Sequence, residues 1–369
     1  MEKIGIITFH RAVNYGAVLQ TYATQEFLRK NNYNVEIIDY RDRILEAPYR
    51  FLQLPKGGIK TKIKKILDDV IFFKKNNRKN KNFQKFVKEN LNLSKTYNNI
   101  YKLKQNYPKD KIYITGSDQV WNTSIVGCLS DAYTLNFGNE EIKRISYAAS
   151  IGLSEIDIKY QNEYKEKLKE IDYISVREES AKLILNKLIK RKDIQVVLDP
   201  TLLLNKEFWN SKLDRLDKEK EKYILVYSVA GNNEYINIAN YLSKETGLKI
   251  IHFEKMNRFD NELKNVYSEG PFEFLNLIRG AEYIITNSFH AVVFSIIFSK
   301  KFYCVPYKKT SSRIINLLEK LEISQRIVYT LDEFKNKQYD EKIDYDEVNK
   351  KLETERKKST DWLIDAINS

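Results

Sequence analysis

EYIITNSFHAVVFSIIFSKKFYCVP, residues 282–306, holds a complete supersecondary unit. EYIIT (282–286) is an apolar run of strand length, and KFYCVP (301–306) is another. Between them the residues from Phe289 to Phe298 are apolar on nearly every side, as in a buried helix. A strand, a helix and a second strand on short links is the unit from which parallel sheets with crossover helices are made. The polar residues gather at one point, directly after the first strand: Thr286, Asn287, Ser288 and His290. With Asn287 or Ser288 as cap, His290 falls in the first helical turn. Ligands of open α/β sheets bind beyond the carboxyl ends of the strands, so this cluster stands where a site is expected.

The same rhythm runs along the chain. IGIITF (4–9), NVEIIDY (34–40), KIYIT (111–115), RISYAAS (144–150), YISV (173–176) and IQVVLD (194–199) read as one set of strands. KYILVYSV (222–229), KIIHFE (249–254) and the two strands of the opening stretch read as a second set. Asp199-Pro200 marks the break, because proline cannot donate to a ladder and restrains its predecessor. The expected fold is α/β, two Rossmann-like, doubly wound domains facing a cleft lined by strand-to-helix loops. Residues 1–205 form the N-terminal domain, with a basic helical insertion at about 55–105. Residues 206–335 form the C-terminal domain carrying His290, and 336–369 form a closing helix or helix pair.

Composition sets outer limits. Hydrophobic residues make up 42% of the 369, which supports real cores and argues against a disordered chain. Two cysteines, Cys128 and Cys304, are too few for a disulfide framework or a zinc site. The opening MEKIGIITFH reads as a charged pair and a strand rather than a signal peptide. No apolar run approaches the roughly 20 residues of a membrane span. A reducing cytoplasm is the expected location. Much of the net charge of +13 is concentrated between Pro55 and Asn90, where twelve Lys/Arg face three Asp/Glu. This segment is either a solvated helical face or a surface for an anionic membrane or polyanion. Nucleic acid is disfavoured, because its aromatics follow helix-core spacing and no RNA-recognition or zinc-finger pattern is present.

Four further loops carry chemistry. HRAVNYGA (10–17) lacks G-x-G-x-x-G but offers Asn14, Tyr15 and Gly16 at a helix start, either an anion site or an ordinary cap. TGSDQVWN (115–122) comes directly after a strand and crowds Gly116, Ser117, Asp118, Gln119, Trp121 and Asn122 into one loop. Amides, a carboxylate and an indole suit sugar hydroxyls and ring faces, so this loop is either a saccharide site or a capped turn with one buried tryptophan. YISVREES (173–180) sets Arg177 at a strand end, where its planar fork suits carboxylate or phosphate unless Glu178 or Glu179 takes it up. KKTSSRIINLLEKL (308–321) places Ser311, Ser312 and Arg313 before a helix, either a phosphate cradle or a capped helix. The positive end of the helix after Ser288 favours a neutral His290, whereas a bound anion favours the protonated acid. No metal-binding, P-loop or G-x-S-x-G pattern occurs in the sequence.

Taken together, NYGAVLQTYA, GSDQVWN, ISYAASIG, SVREESA, LDPTLLL, EFLNLIRGAEYIITNSFHAVVFSIIF and SSRIINLL, in this order, resemble the polysaccharide pyruvyl transferase family. The resemblance implies a fold like the two-domain GT-B glycosyltransferases. It implies transfer of pyruvate from phosphoenolpyruvate, as co-substrate and with no other cofactor, to two hydroxyls of a sugar as a cyclic ketal. The family's functional histidine falls on His290 and its strand-end arginine on Arg177. Members often carry glycine where this chain has Ala291, and some carry arginine and leucine where it has Ser288 and Phe289. Arg313 is therefore a second candidate for the donor's charge. Asn287, Ser288, Ser312, Arg313, Asn14, Tyr15 and Gly16 are the donor-binding candidates, and Gly116, Ser117, Asp118, Gln119, Trp121 and Asn122 the acceptor-binding ones. The partners implied are phosphoenolpyruvate and a saccharide acceptor, free or lipid-linked, at the inner face of the cell membrane. The alternatives are a GT-B nucleotide-sugar glycosyltransferase and a non-enzymatic carbohydrate- or polyanion-binding protein.

Overall fold

The computed structural model describes residues 3–41, 46, 58–217, 219–229, 233–306, 312–337, 339 and 341–369. Two compact units divide the chain. The first takes Met1–Gly58, Gln84–Leu204 and Thr354–Ser369, and the second takes Ile59–Phe83 and Asn205–Glu353. This corrects the simple succession of segments expected from the sequence. The insertion is shared between the units. The tail is one helix, Tyr345–Asn368, shared in the same way.

In the first unit the described residues form a six-stranded, all-parallel sheet, ordered β2-β1-β3-β4-β5-β6. Its strands are β1 (Lys3–Ile7), β2 (Asn34–Ile37), β3 (Ile112–Thr115), β4 (Lys143–Ala149), β5 (Tyr173–Val176) and β6 (Gln195–Val196). β1 pairs with β2 on one side and β3 on the other, so the strand order reverses between β1 and β3. Helix Tyr15–Lys30 buries Val18, Leu19, Tyr22 and Ala23, and Asn14 caps it by accepting from the Ala17 N–H at 3.2 Å. β4 carries a register shift between Ser146 and Ala149, with Ala148 at φ 52°. The Ser175 hydroxyl holds this bulge by accepting from the Ala148 N–H at 3.1 Å. A bulge re-aims the chain beyond it, here the Ser150–Gly152 turn at the carboxyl end of the strand.

The second unit holds a five-stranded parallel sheet among its described residues, ordered β11-β10-β7-β8-β9. Its strands are β7 (Tyr223–Tyr227), β8 (Lys249–His252), β9 (Glu262–Asn265), β10 (Tyr283–Thr286) and β11 (Lys301–Cys304). Strand order reverses between β7 and β10. β9 was not among the expected strands. Its sequence ELKN has no apolar run, and as an edge strand it needs none. Helix Phe289–Ile297 joins β10 to β11 with all nine residues buried, and Phe294 packs edge-on against Trp209 at 5.0 Å. In the terminal helix the buried residues after Asp361 are Leu363, Ala366 and Ile367, while Trp362 lies only part-way in, against Tyr147.

Candidate active site

At the switch point of the second unit, the ends of β10 and β7 are tied together. Thr286 donates its hydroxyl to the Tyr227 carbonyl at 2.6 Å. Asn287 accepts from the Val229 N–H at 2.9 Å and donates to the Ser228 hydroxyl at 2.9 Å. Ser288 caps the helix, its hydroxyl facing the Ala291 N–H at 3.4 Å. The capping residue is therefore Ser288, and His290 lies in the first turn. Asn287 works as a clasp between two strand ends. Its amide makes both of these hydrogen bonds within the protein.

His290 is 7% exposed, and its ring meets the Phe289 ring edge-on at 5.2 Å. The Arg313 guanidinium lies over the other partner in this stack, 5.8 Å from the Phe289 ring centre. Ser312 and Arg313 open helix Ser312–Lys320 rather than precede it. Ile314, Leu317 and Leu318 bury its inner face, Ser312 is exposed and Arg313 half-buried. Ser311 lies outside the described residues. The structure thus brings together one imidazole, one aromatic spacer and one guanidinium that reaches solvent. A cation on an aromatic face is held in place by the ring.

The first unit answers differently. Arg177 stands at the end of β5, but its side chain is 2% exposed. Nη1 donates to Asp199 Oδ2 at 2.7 Å and faces Ser117 Oγ at 3.3 Å. Asp199 also accepts from Ser117 Oγ at 3.0 Å and from the Thr201 N–H and hydroxyl at 3.0 and 2.7 Å. Burial pushes the Arg177 pKa down, but Asp199, Asp118 and Glu178 more than offset this and raise it. The guanidinium expected to project from the strand end is instead an internal ion pair. Glu178 does not pair with it by hydrogen bond. Its Oε1 accepts from Ser150 Oγ at 2.8 Å and from the N–H groups of Ile151 and Gly152 at 3.0 and 3.1 Å. Its Oε2 is buried without a hydrogen-bond partner.

The 116–122 loop folds inward for the same reason. Gly116 sits against β1, where a Cβ would come 2.9 Å from Thr8 Cβ. Ser117 is buried on Asp199. Trp121 is fully buried and donates its indole N–H to the Tyr133 carbonyl at 3.0 Å. Asn122 caps the next helical turn through the Ser124 N–H at 2.9 Å. Of the two expectations, these placements match the capped turn with a buried tryptophan and correct that of a sugar platform built from Trp121, Ser117 and Asn122. What remains half-exposed is Asp118, at φ 80°, and Gln119, whose carbonyl packs against Gly152. A non-glycine residue held at positive φ is costly, and such outliers cluster at functional sites. Tyr15 is buried and Gly16 with it, while Asn14 is exposed and engaged as a cap, so this loop behaves as a helix start.

One cluster escaped the sequence reading. His10, at the β1 end, is fully buried between the Thr8 carbonyl at 3.1 Å and Asp39 Oδ1 at 3.0 Å. Arg11 holds the same carboxylate at 2.8 and 2.6 Å, and the Thr96 hydroxyl donates to it at 2.6 Å. Burial raises the Asp39 pKa, but hydrogen bonds from His10, Arg11 and Thr96 outweigh that and hold it well below the carboxylate range. The signal was a histidine directly after one expected strand and an aspartate near the carboxyl end of the next. Only the pairing of β1 with β2 brings them together. Among the described residues, no group of three or more His, Cys, Asp or Glu side chains could hold a metal ion.

Two doubly wound parallel sheets, each with a polar cluster at its switch point, define a Rossmann-like α/β protein of the GT-B type. Solved structures agree. UDP-GlcNAc 2-epimerase from Neisseria meningitidis, bound to UDP-GlcNAc, is similar over 99% of this chain and 100% of its own, with TM-score 0.52 and 11% identity. UDP-N-acetylglucosamine 2-epimerase from Rickettsia bellii is similar over 100% and 97%, with TM-score 0.52 and 12% identity. At such identities the likeness speaks for the fold alone. The family model of polysaccharide pyruvyl transferase matches residues 14–309. The chain belongs to that family, as the resemblance of its motifs implied, and is a transferase of pyruvyl groups in polysaccharide synthesis. A search of curated proteins finds no match.

Proposed function

We propose that the protein transfers pyruvate from phosphoenolpyruvate to two hydroxyls of one sugar in a bacterial polysaccharide or its precursor, closing a cyclic ketal. The observation that carries this reading is the stack at the second switch point: His290, Phe289 and a partly exposed Arg313. His290 gives a proton to the methylene carbon of phosphoenolpyruvate, which leaves C2 as an oxocarbenium-like centre. One sugar hydroxyl attacks C2, and its proton returns to His290. The second hydroxyl then displaces phosphate, which leaves with the remaining proton. A positioned acid of this kind contributes about 10²–10⁴ in rate.

Arg313 and the exposed Ser312 at a helix start answer the donor's phosphate and carboxylate. Arg177 takes a positioning role, holding Asp199 and the Ser117 turn rather than the donor. Asp118 and Gln119 offer hydrogen bonds to acceptor hydroxyls. The acceptor is a saccharide, free or lipid-linked. The place of work is the cytoplasm at the inner membrane face, with the basic segment 55–90 facing anionic lipid. Among the described residues no helix is long and apolar enough to cross a membrane.

A thermal-shift panel tests the donor. Phosphoenolpyruvate should raise the melting temperature, and the shift should vanish in Arg313→Ala. Protection by UDP-, GDP- or CMP-sugars with none from phosphoenolpyruvate would transfer the site to glycosyl chemistry.

A further inference from the structure

Helix Ile59–Ile71, IKTKIKKILDDVI, has an apolar stripe and buries none of it. Ile59, Ile63, Ile66, Leu67, Val70 and Ile71 recur at the spacing of one helical face. They are 75, 51, 38, 56, 62 and 68% exposed, and Phe73 just beyond them is 45% exposed. Every residue of this helix whose exposure is described is exposed.

The next helix, Phe73–Asn90, is anchored between Lys75 and Asn82. Within the second unit Lys75 donates to the Lys255 carbonyl at 3.0 Å, Tyr267 donates to Asn76 at 3.0 Å, and Asn82 donates to the Ser268 carbonyl at 2.8 Å. Lys79 lies over the Tyr267 ring at 4.4 Å. The apolar helix therefore projects directly from a fixed attachment. A stripe of this size in water is unfavourable, so it calls for an occupant. Charge selects which one. Twelve Lys/Arg against three Asp/Glu between residues 55 and 90 oppose pairing with the same segment of a second copy. They suit a surface that is anionic outside and apolar within. Nucleic acid would satisfy the lysines and leave the isoleucines wet.

We infer that helix Ile59–Ile71 is an interfacial membrane anchor. Its isoleucine–leucine–valine stripe enters the headgroup–acyl boundary of an anionic bilayer, and the surrounding lysines meet lipid phosphates. This goes beyond electrostatic attraction, because it makes the apolar residues obligatory. It stands independently of the donor, and holds whether or not phosphoenolpyruvate is bound.

Flotation of the full chain with phosphatidylcholine–phosphatidylglycerol vesicles tests it, with pure phosphatidylcholine vesicles as reference. The protein should float with the mixed vesicles and not with the reference. The exposed double variant Ile63→Ser, Leu67→Ser should bind about tenfold more weakly or worse at an unchanged melting temperature. Val70→Trp should show a blue shift of tryptophan emission on the mixed vesicles alone. Three results would overturn the anchor: no flotation of the unmodified chain, equal binding by the serine variant, or a solution dimer that the serine variant turns into monomer. Equal binding by the serine variant together with loss in Lys62→Gln, Lys74→Gln, Lys81→Gln would reduce the segment to a charged patch.

Discussion

Arg177 and Arg313 stand at the carboxyl ends of two parallel sheets, and their surroundings treat the charge in opposite ways. In the first unit, Arg177 is buried and its guanidinium meets Asp199 and Ser117. In the second, Arg313 is half-buried on an aromatic ring that touches His290. A charge already matched by a buried carboxylate organises its loops. A charge on a ring face is still reached by water, and it is the one the proposed donor site uses. Both arginines look alike in sequence, each beside a serine or glutamate near a helix start. Burial is what separates them.

The comparison breaks most easily at His290. His290→Ala should lower kcat/KM for phosphoenolpyruvate by about 10²–10⁴ with the fold intact by circular dichroism. An unimpaired variant would remove the histidine from the chemistry and leave the second switch point without its centre.

Stability should fall most in the first unit. Asp199→Ala leaves the Arg177 charge buried without its carboxylate and should cost about 3–5 kcal/mol in urea unfolding. Replacing both partners, as Arg177→Met with Asp199→Leu, should recover most of that loss. If Asp199→Ala is tolerated, Arg177 does not depend on the pair and is available to a ligand after all.

Asn287→Ala sharpens the comparison from the other side. It removes two hydrogen bonds between the β7 and β10 ends and should cost about 1–3 kcal/mol. Because the clasp aims the helix bearing His290, kcat should drop more than KM rises. Arg313→Lys should change stability by about 1 kcal/mol or less, yet raise KM for phosphoenolpyruvate, since lysine keeps the charge and loses the planar stack.

The smallest expected effect is in acid. The Asp39 carboxyl is held below its ordinary range, so its contribution is present above that range and is lost as pH falls through the folded value. Asp39→Asn should be less stable at neutral pH and show a flatter acid limb in chemical unfolding.

Much of the architecture was legible because buried parallel strands announce themselves. YILVY and YIIT are apolar runs bounded by polar loops, and both became central strands. β9 was not legible, since an edge strand of Glu, Leu, Lys and Asn carries no such contrast. At the sites, His290 could be placed from its cap and its preceding strand. The enclosure of Trp121 and Tyr15 could not, because a loop's polarity does not say which of its side chains turn inward. Nor could the meeting of His10 with Asp39, which lie 29 residues apart and join only where β1 and β2 pair.

The sequence by itself determined the alternation of strands and helices, the family, and the position of one histidine at a helix start. These depend on local periodicity and on which residues come directly after a strand. Tertiary structure alone decided which arginine is sealed against an aspartate and which one water still reaches. It also decided that the stripe from Ile59 to Ile71 stays uncovered. Burial and ion pairing depend on residues distant in the chain, and a linear string does not name its own neighbours in space.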